Sequence, residues 1–491
     1  MYLSLGAGPS GLAAALLLYR NGISVRIVEK RGDFRVGMRG AGIQARTLEL
    51  YKLLGILPEI EKHTLRFPLR KLYDSGNQEL ISQKPLMDDM PLESHFHRIN
   101  SGVIRQEQHQ NILRETLQKE YGCVVETSTE LESFAQDSDG VSVKLAKEGR
   151  QEATRFKWLI GADGARSIVR KQLGLSFLGE SPANIAVVIG DIEVEQWGDV
   201  DSTSWSIWGN QKEKSAFLMP YEVDGRKLGY FMLGGAQMNA EEVSQGRQTI
   251  VDAFFEISGK KDILFGPLYT HALWRLISTL SGSNPTPTER SSVIAAMLQI
   301  TTAIMRTDVT AEDTSNERWR RGFETRQLGI TYRNSPVLVD ERYPTSKEKV
   351  DPYRSGLDGT VHAGDRAPEA PGMQRGNGGS TSIYDLFDVT SHTVILFGKS
   401  DLDVQDTLAF VARYPGTRVR VVLVLPQGSK LQSSGEAPIH EVLVDAEGHA
   451  YRNYRVQPGD VFVVVVRPDG YIGALNNGYS GLKEYFSKIF V

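Results

Sequence analysis

Cysteine is nearly absent: Cys123 is the only one in 491 residues. A lone cysteine excludes an internal disulfide framework, a Cys-rich metal site and a CxxC redox pair, and it fits a reducing compartment. Long apolar runs are also missing. No stretch reaches the roughly 20 residues that a membrane-spanning helix needs, so no span is expected. The apolar run 12–19 follows a Gly-rich turn rather than a basic segment, so it does not read as a signal-peptide core. Charge of one sign is lacking as well. A net charge of −4, from 56 basic and 60 acidic residues, offers no basic surface for nucleic acid. The only close histidine pair, His95 and His97, reads as a loop feature, and no metal site is expected. What remains is a cytoplasmic protein too long for one core, to be divided into two or three domains.

The N-terminus is densely patterned. Residues 2–30 read YLSLGAGPSGLAAALLLYRNGISVRIVEK. A short apolar strand meets Gly6, Gly8 and Gly11, an Ala/Leu-rich helix follows, and a second strand ends at Glu29. This is a β-α-β unit around a G-x-G-x-x-G turn. Gly6 permits the tight turn, Gly8 lets the backbone approach a pyrophosphate, and Gly11 lets the helix pack close to the strand. The helix N-terminus offers unpaired N–H groups and partial positive charge to phosphates. Glu29 can accept hydrogen bonds from a ribose diol, which favours FAD or NAD over a 2′-phosphorylated nucleotide.

Three further segments narrow the choice. RGAGIQARTLELYKLLGI, from Arg39, is a Gly-rich loop with an arginine leading into an amphipathic helix. RQEQHQNILRETL, from Arg105, is a second amphipathic helix with Gln106 near its start. FKWLIGADGARSIVRKQLG, from Phe156, is a strand ending at Asp163 and Gly164 and turning into a basic helix. Together they resemble the FAD-dependent aromatic hydroxylases (class A flavoprotein monooxygenases), in the phenol hydroxylase-like branch. The resemblance implies that Arg39 contacts FAD phosphate or the flavin edge. It implies that Gln106 bonds near the flavin or ribityl chain, and that the Asp163-Gly164 segment lies near the pyrophosphate. It also implies the reaction: NADPH or NADH reduces FAD, O2 adds at flavin C4a, and the hydroperoxide hydroxylates a small aromatic substrate. Some phenol hydroxylases carry a carboxylate in the loop that here reads RGAG, near Ala41. None stands here, so no catalytic residue is named.

The fold class expected is α/β: a Rossmann-type FAD-binding domain with an inserted, mostly antiparallel substrate sheet, plus a C-terminal thioredoxin-like α/β domain. The boundaries are 1–180 for the FAD-binding domain and 181–275 for the substrate sheet. Residues 276–335 are the helical remainder of the FAD domain, 336–381 a linker, and 382–491 the thioredoxin-like domain. Trp205, Trp208, Phe217, Tyr221 and Tyr230 are the candidates for an aromatic pocket, each weighed against an ordinary place in the sheet core. Lacking CxxC, the last domain reads as a structural or dimer-packing module, which points to a homodimer. Gly364-Asp365, in HAGDRAPEAPGM, is not taken as the family's second FAD motif, because neither the following His nor a helix is in place.

One tract breaks the pattern. STLSGSNPTPTERSS, residues 278–292, is polar and aperiodic. It lies between the substrate sheet and a helix that the family places well after its Gly-Asp motif. The motif, its strand, its glycine loop and the next helix are missing there. The tract reads as the scar of an internal deletion, most simply a mis-spliced or mis-predicted gene model, against the alternative of a divergent loop. Such a loss weakens FAD binding. Two other functions stay open: a flavin- or NAD-linked oxidoreductase that does not hydroxylate, and a non-catalytic nucleotide-binding remnant.

Overall fold

Tyr2–Leu5 (β1) pairs in parallel with Val25–Val28 (β2) on one side and with Trp158–Gly161 on the other. Between β1 and β2 runs the helix Pro9–Arg20 (α1), with Pro9 at its first position, where the missing N–H costs nothing. Its Leu12, Ala15 and Leu16 face inward and are fully buried, as their 3–4 spacing requires. The computed structural model describes all residues except 35, 39, 77–78, 176–185, 276–288, 311–321, 344–349, 354, 357–358, 399–403, 431–437 and 491, together with the side chains of 304–310. Arg39 and residues 278–288 of the Ser/Pro tract therefore lie outside the described residues. The helix expected after that tract forms as Glu289–Thr310.

The substrate sheet has seven strands. Its order is Leu264–Arg275, Ala186–Gln196, Arg226–Gly234, Ser215–Val223, Trp205–Gly209, Leu69–Tyr73 and Leu80–Pro85. Every pairing is antiparallel except that between Trp205–Gly209 and Leu69–Tyr73. Strand alternation sorts the aromatic candidates. Trp205, Phe217 and Tyr230 join one cluster, with Met38 and Met219. Trp208 points to the opposite face. There it is fully buried, stacked on Tyr73 at 5.5 Å and edge-on to Phe254 at 5.4 Å. Trp208 is thus sheet core and not a pocket residue.

The C-terminal sheet has eight strands, with His392–Phe397, Val419–Leu425 and Phe462–Val466 at its centre. These three strands are almost entirely buried, which means both faces are covered. Val394 and Leu396 pack under the helices Gln405–Val411 and Tyr479–Ile489. Ile395 and Phe397 face the other way, into one continuous core with Leu12, Leu16, Leu48 and Leu113 of the first domain. Residues 336–381, read from the sequence as a linker, bring Ala363, Ala367, Ala370 and Met373 into that same core. Of this segment, the described part from 361 to 373 is packed structure, because small side chains let the backbone lie close to both sheet and helices.

A buried ionic cluster joins the two parts. Glu49, on the helix Ala45–Leu53 (α2), accepts from Arg46 at 2.8 Å and from Arg366 at 3.2 Å. Arg366 also donates to the hydroxyl of Tyr384, and Arg46 reaches the carbonyl of Asp469 at 2.7 Å. Replacing Glu49 with Ala leaves two guanidinium groups buried without their shared anion. Urea unfolding is expected to lose about 3–5 kcal/mol. A loss below about 1 kcal/mol would contradict this assignment.

Two buried histidines set an acid limit. Burial depresses both His392 and His109 from the ordinary 6.5 to about 4. The unfolded chain takes up these protons first. Stability is therefore full above about pH 6.5 and falls as the pH drops toward 4. Urea midpoints measured across that window are expected to decline, and His392→Phe is expected to flatten the decline.

Candidate functional site

The Gly-rich turn is built by close approach. A Cβ on Gly6, whose φ is +96°, would stand 2.4 Å from the Ala162 carbonyl oxygen. A Cβ on Gly11 would stand 2.0 Å from that of Gly6. Both positions therefore exclude a side chain. Gly8 differs: its missing Cβ faces open space, with nothing within 4 Å. Gly8 is the N-cap of α1, and no side chain caps the helix, so its first N–H groups remain available. The space beyond is an open cleft of about 1110 Å³. Gly6, Gly8, Glu29, Gln106, Asp163 and Gly164 all line it. Gly11 lies behind the turn and acts through packing.

Each lining residue is held by its element. Glu29 follows β2, and its carboxylate accepts from Ala7 N–H at 3.0 Å and Arg31 N–H at 3.1 Å. It fixes the turn against β2 and keeps lone pairs for a ligand. Gln106 opens the helix Gln106–Tyr121. Asp163 turns toward its own chain, accepting from the Ser167 hydroxyl and the Ile168 N–H, both at 2.6 Å. Its carboxylate caps the short helix Ile168–Gln172, a role that the sequence reading missed although Ser167 stands four residues on. Lys30, Arg31 and Arg166 add positive charge to the rim. These features fit the adenosine and pyrophosphate half of a dinucleotide such as FAD: open backbone at Gly8, an available helix N-terminus, and an acid after β2.

Beside the cleft, the loop around residues 37–42 meets the substrate sheet. Asp191, only 1% exposed, accepts from Met38 N–H at 3.0 Å, the Tyr221 hydroxyl at 2.7 Å and the Thr270 hydroxyl at 2.6 Å. Burial raises its pKa. Glu107 accepts from Gly37 N–H at 3.1 Å. A Cβ on Gly37, at φ +97°, would stand 2.2 Å from Asp191 Oδ2, so the docking requires glycine. Two cavities flank this junction and share Trp205 and Met219 as a wall. One has Ala41, Phe217 and Tyr230 in its lining. The other has Met38, Arg105 and Tyr221. Sequence reasoning missed Asp191 and Arg105. The signal available for Asp191 was a carboxylate following the apolar run VVIG at the middle of its strand.

The remaining sequence features resolve as structure. Asp365 is buried and paired with Arg333 at 2.8 Å, in a different cleft from the glycine turn. His97 bonds Glu369 at 2.8 Å and stacks on Tyr384.

Residues 3–268 match the family described as "FAD binding domain", and residues 429–491 match "Phenol hydroxylase, C-terminal dimerisation domain". This chain belongs to the FAD-dependent aromatic hydroxylase family. It is 24% identical to a flavin-dependent monooxygenase of Mycobacteroides abscessus, over 99% of this chain and 98% of that protein. It is also 24% identical to pentachlorophenol 4-monooxygenase of Sphingobium chlorophenolicum, over 96% and 93%. Its fold matches the flavin-dependent monooxygenase PieE, solved with FAD and substrate, with a TM-score of 0.72 at 17% identity, over 99% and 98% of the two chains. Aklavinone-11 hydroxylase, solved with FAD and aklavinone, gives 0.71 at 18%, over 97% and 95%. Among the described residues, no helix is long and apolar enough to cross a membrane.

The turn geometry separates two substitutions. Gly8→Val is expected to leave the thermal midpoint nearly unchanged while lowering FAD affinity at least about tenfold, read by calorimetric titration. Gly11→Ala is expected to lower the midpoint itself, because the methyl meets backbone. Equal effects of the two on folding would contradict the assignment.

Proposed function

We propose that this chain is an FAD-dependent, NAD(P)H-using monooxygenase that hydroxylates a phenolic or other small aromatic substrate. The observation that carries the reading is an adjacency: at the start of one helix, Gln106 lines the dinucleotide cleft while its neighbour Arg105 lines an aromatic-walled cavity with Trp205 and Tyr221. Gly6, Gly8, Glu29, Gln106 and the Asp163-Gly164 segment hold the FAD; the family resemblance adds Arg39, which lies outside the described residues. When bound, FAD supplies the redox chemistry, taking electrons from NAD(P)H and activating O2. The chain's own part is to seat the aromatic ring, orient it and exclude water. Trp205 and Met219, the wall shared by the two cavities, give the surface for this, with Tyr221 on one side and Phe217 and Tyr230 on the other. The C-terminal domain is a thioredoxin-like scaffold without redox chemistry, and it packs a homodimer in the cytoplasm.

A specific set of observations also favours the internal deletion. Among the described residues, Trp158–Gly161 is an edge strand, and Trp158 is 57% exposed. The helix that follows it buries no residue, and Leu173 is exposed beside it. Similarity to the Mycobacteroides relative extends over 545 aligned positions, against 491 residues here. A bare, apolar sheet edge next to the Asp163 turn is what removal of a strand and helix leaves behind. The functional consequence is a weakened hold on FAD.

The test is a panel of phenols and aromatic acids incubated with protein, excess FAD and NADPH or NADH. Substrate-stimulated nicotinamide oxidation, matched by product one oxygen heavier, is expected. Oxidation with only peroxide formed would favour a non-hydroxylating oxidoreductase. No stimulated oxidation at all would favour a nucleotide-binding remnant.

A further inference from the structure

Buried polar groups normally find partners. Arg105 departs from that rule: its Nη1 is buried and has no hydrogen-bond partner among the described residues. Its guanidinium lies 5.8 Å from the ring centre of Tyr221. Both side chains line the same cavity, with Met38, Trp205 and Met219. Behind Tyr221 stands Asp191, which accepts the tyrosine O–H at 2.7 Å. One wall thus carries a guanidinium nitrogen with no partner among the described residues, a hydroxyl and, behind it, a buried carboxylate.

We propose that Arg105, Tyr221 and Asp191 form the phenol-ionising site of this chain. The substrate hydroxyl gives its proton to Tyr221 Oη as Tyr221 passes its own to Asp191, and Arg105 Nη1 takes the resulting phenolate. This deepens the hydroxylase reading and rests on it. The step balances: one O–H bond breaks on the substrate and one forms on Asp191. Tyr221 is regenerated, and no electron is transferred. The ionised ring is richer in electrons and better suited to accept an electrophilic oxygen. The carboxylate that the loop near Ala41 lacks is thus supplied from the neighbouring sheet.

The environment agrees with these directions. Burial raises the Asp191 pKa and makes it a better proton acceptor than an exposed carboxylate. Burial and the Asp191 charge raise the Tyr221 pKa, so it remains an O–H donor. Among the described residues, the other charged group acting on this pair is Glu107, which is itself bonded to Gly37 N–H. His63, Arg66 and Glu222 complete the titratable lining of the cavity. Asp191 acts through Tyr221 and also holds Met38, so it is a positioning residue. Arg105 and Tyr221 are the groups that would touch substrate.

The experiment binds 4-nitrophenol to the full-length protein and titrates pH, reading the visible absorbance of its phenolate. The bound phenol is expected to ionise about one pH unit below the free one, a tenfold shift. Tyr221→Phe keeps the bond from Met38 to Asp191 and is expected to abolish the shift. Arg105→Gln is expected to reduce it, with Arg105→Lys restoring part. Failure to bind, ionisation at the free value, or an unchanged shift in Tyr221→Phe would each overturn the proposal. The readout needs no turnover. Ionisation without hydroxylation would keep this site and sink the hydroxylase reading, and hydroxylation with unshifted ionisation would do the reverse.

Discussion

The contact between Gly11 and the carbonyl of Gly6 is the constraint on which the rest of the site depends. It lets α1 sit directly on β1, and it aims the helix N-terminus across the open space at Gly8. Any side chain at either glycine pushes helix and strand apart. The helix dipole and its unpaired N–H groups would then miss a phosphate. Glu29 locks the same turn from the second strand through Ala7, so three short elements act as one rigid cradle.

The loop after that cradle is held from two sides. Asp191 and Glu107 fix its start through the backbone of Met38 and Gly37. The helix α2 that continues it is anchored through Glu49 to Arg366 and, by Arg46, to the turn at Asp469. The C-terminal sheet contributes to the same continuous core as α1 and α2. It is therefore part of what positions the loop, even though it has no redox pair of its own. A buried ionic cluster is weak evidence for net stability, but it does fix geometry where apolar contacts alone could slide.

Local signals were legible in the sequence, and long-range ones were not. The glycine turn, α1 and the strand alternation around Trp205 follow from spacing, because they depend on residues within one turn or one strand. Glu29, Gln106, Asp163 and Gly164, each singled out from its own segment, line one cleft. What escaped was set by distant partners. Asp191 meets a loop some 150 residues earlier. Arg105 gains its meaning from Tyr221 on another domain. Trp208 had no mark to separate it from Trp205 except register, which decides the face. Residues 336–381 read as linker because Pro and Gly punctuate them, yet their small side chains are what the shared core admits.

The cleft at the glycine turn fits the adenosine and pyrophosphate half of a dinucleotide, while among the described residues Trp158–Gly161 is an edge strand with Trp158 exposed. The central proposal is that this chain keeps the nucleotide half of an FAD site and holds the flavin half only weakly. Equilibrium titration of the purified protein with ADP and with FAD under the same conditions tests it most directly. The account predicts that FAD binds within about tenfold of ADP, the flavin adding little. FAD binding about a thousandfold tighter than ADP would contradict it and would mean that the flavin half is intact.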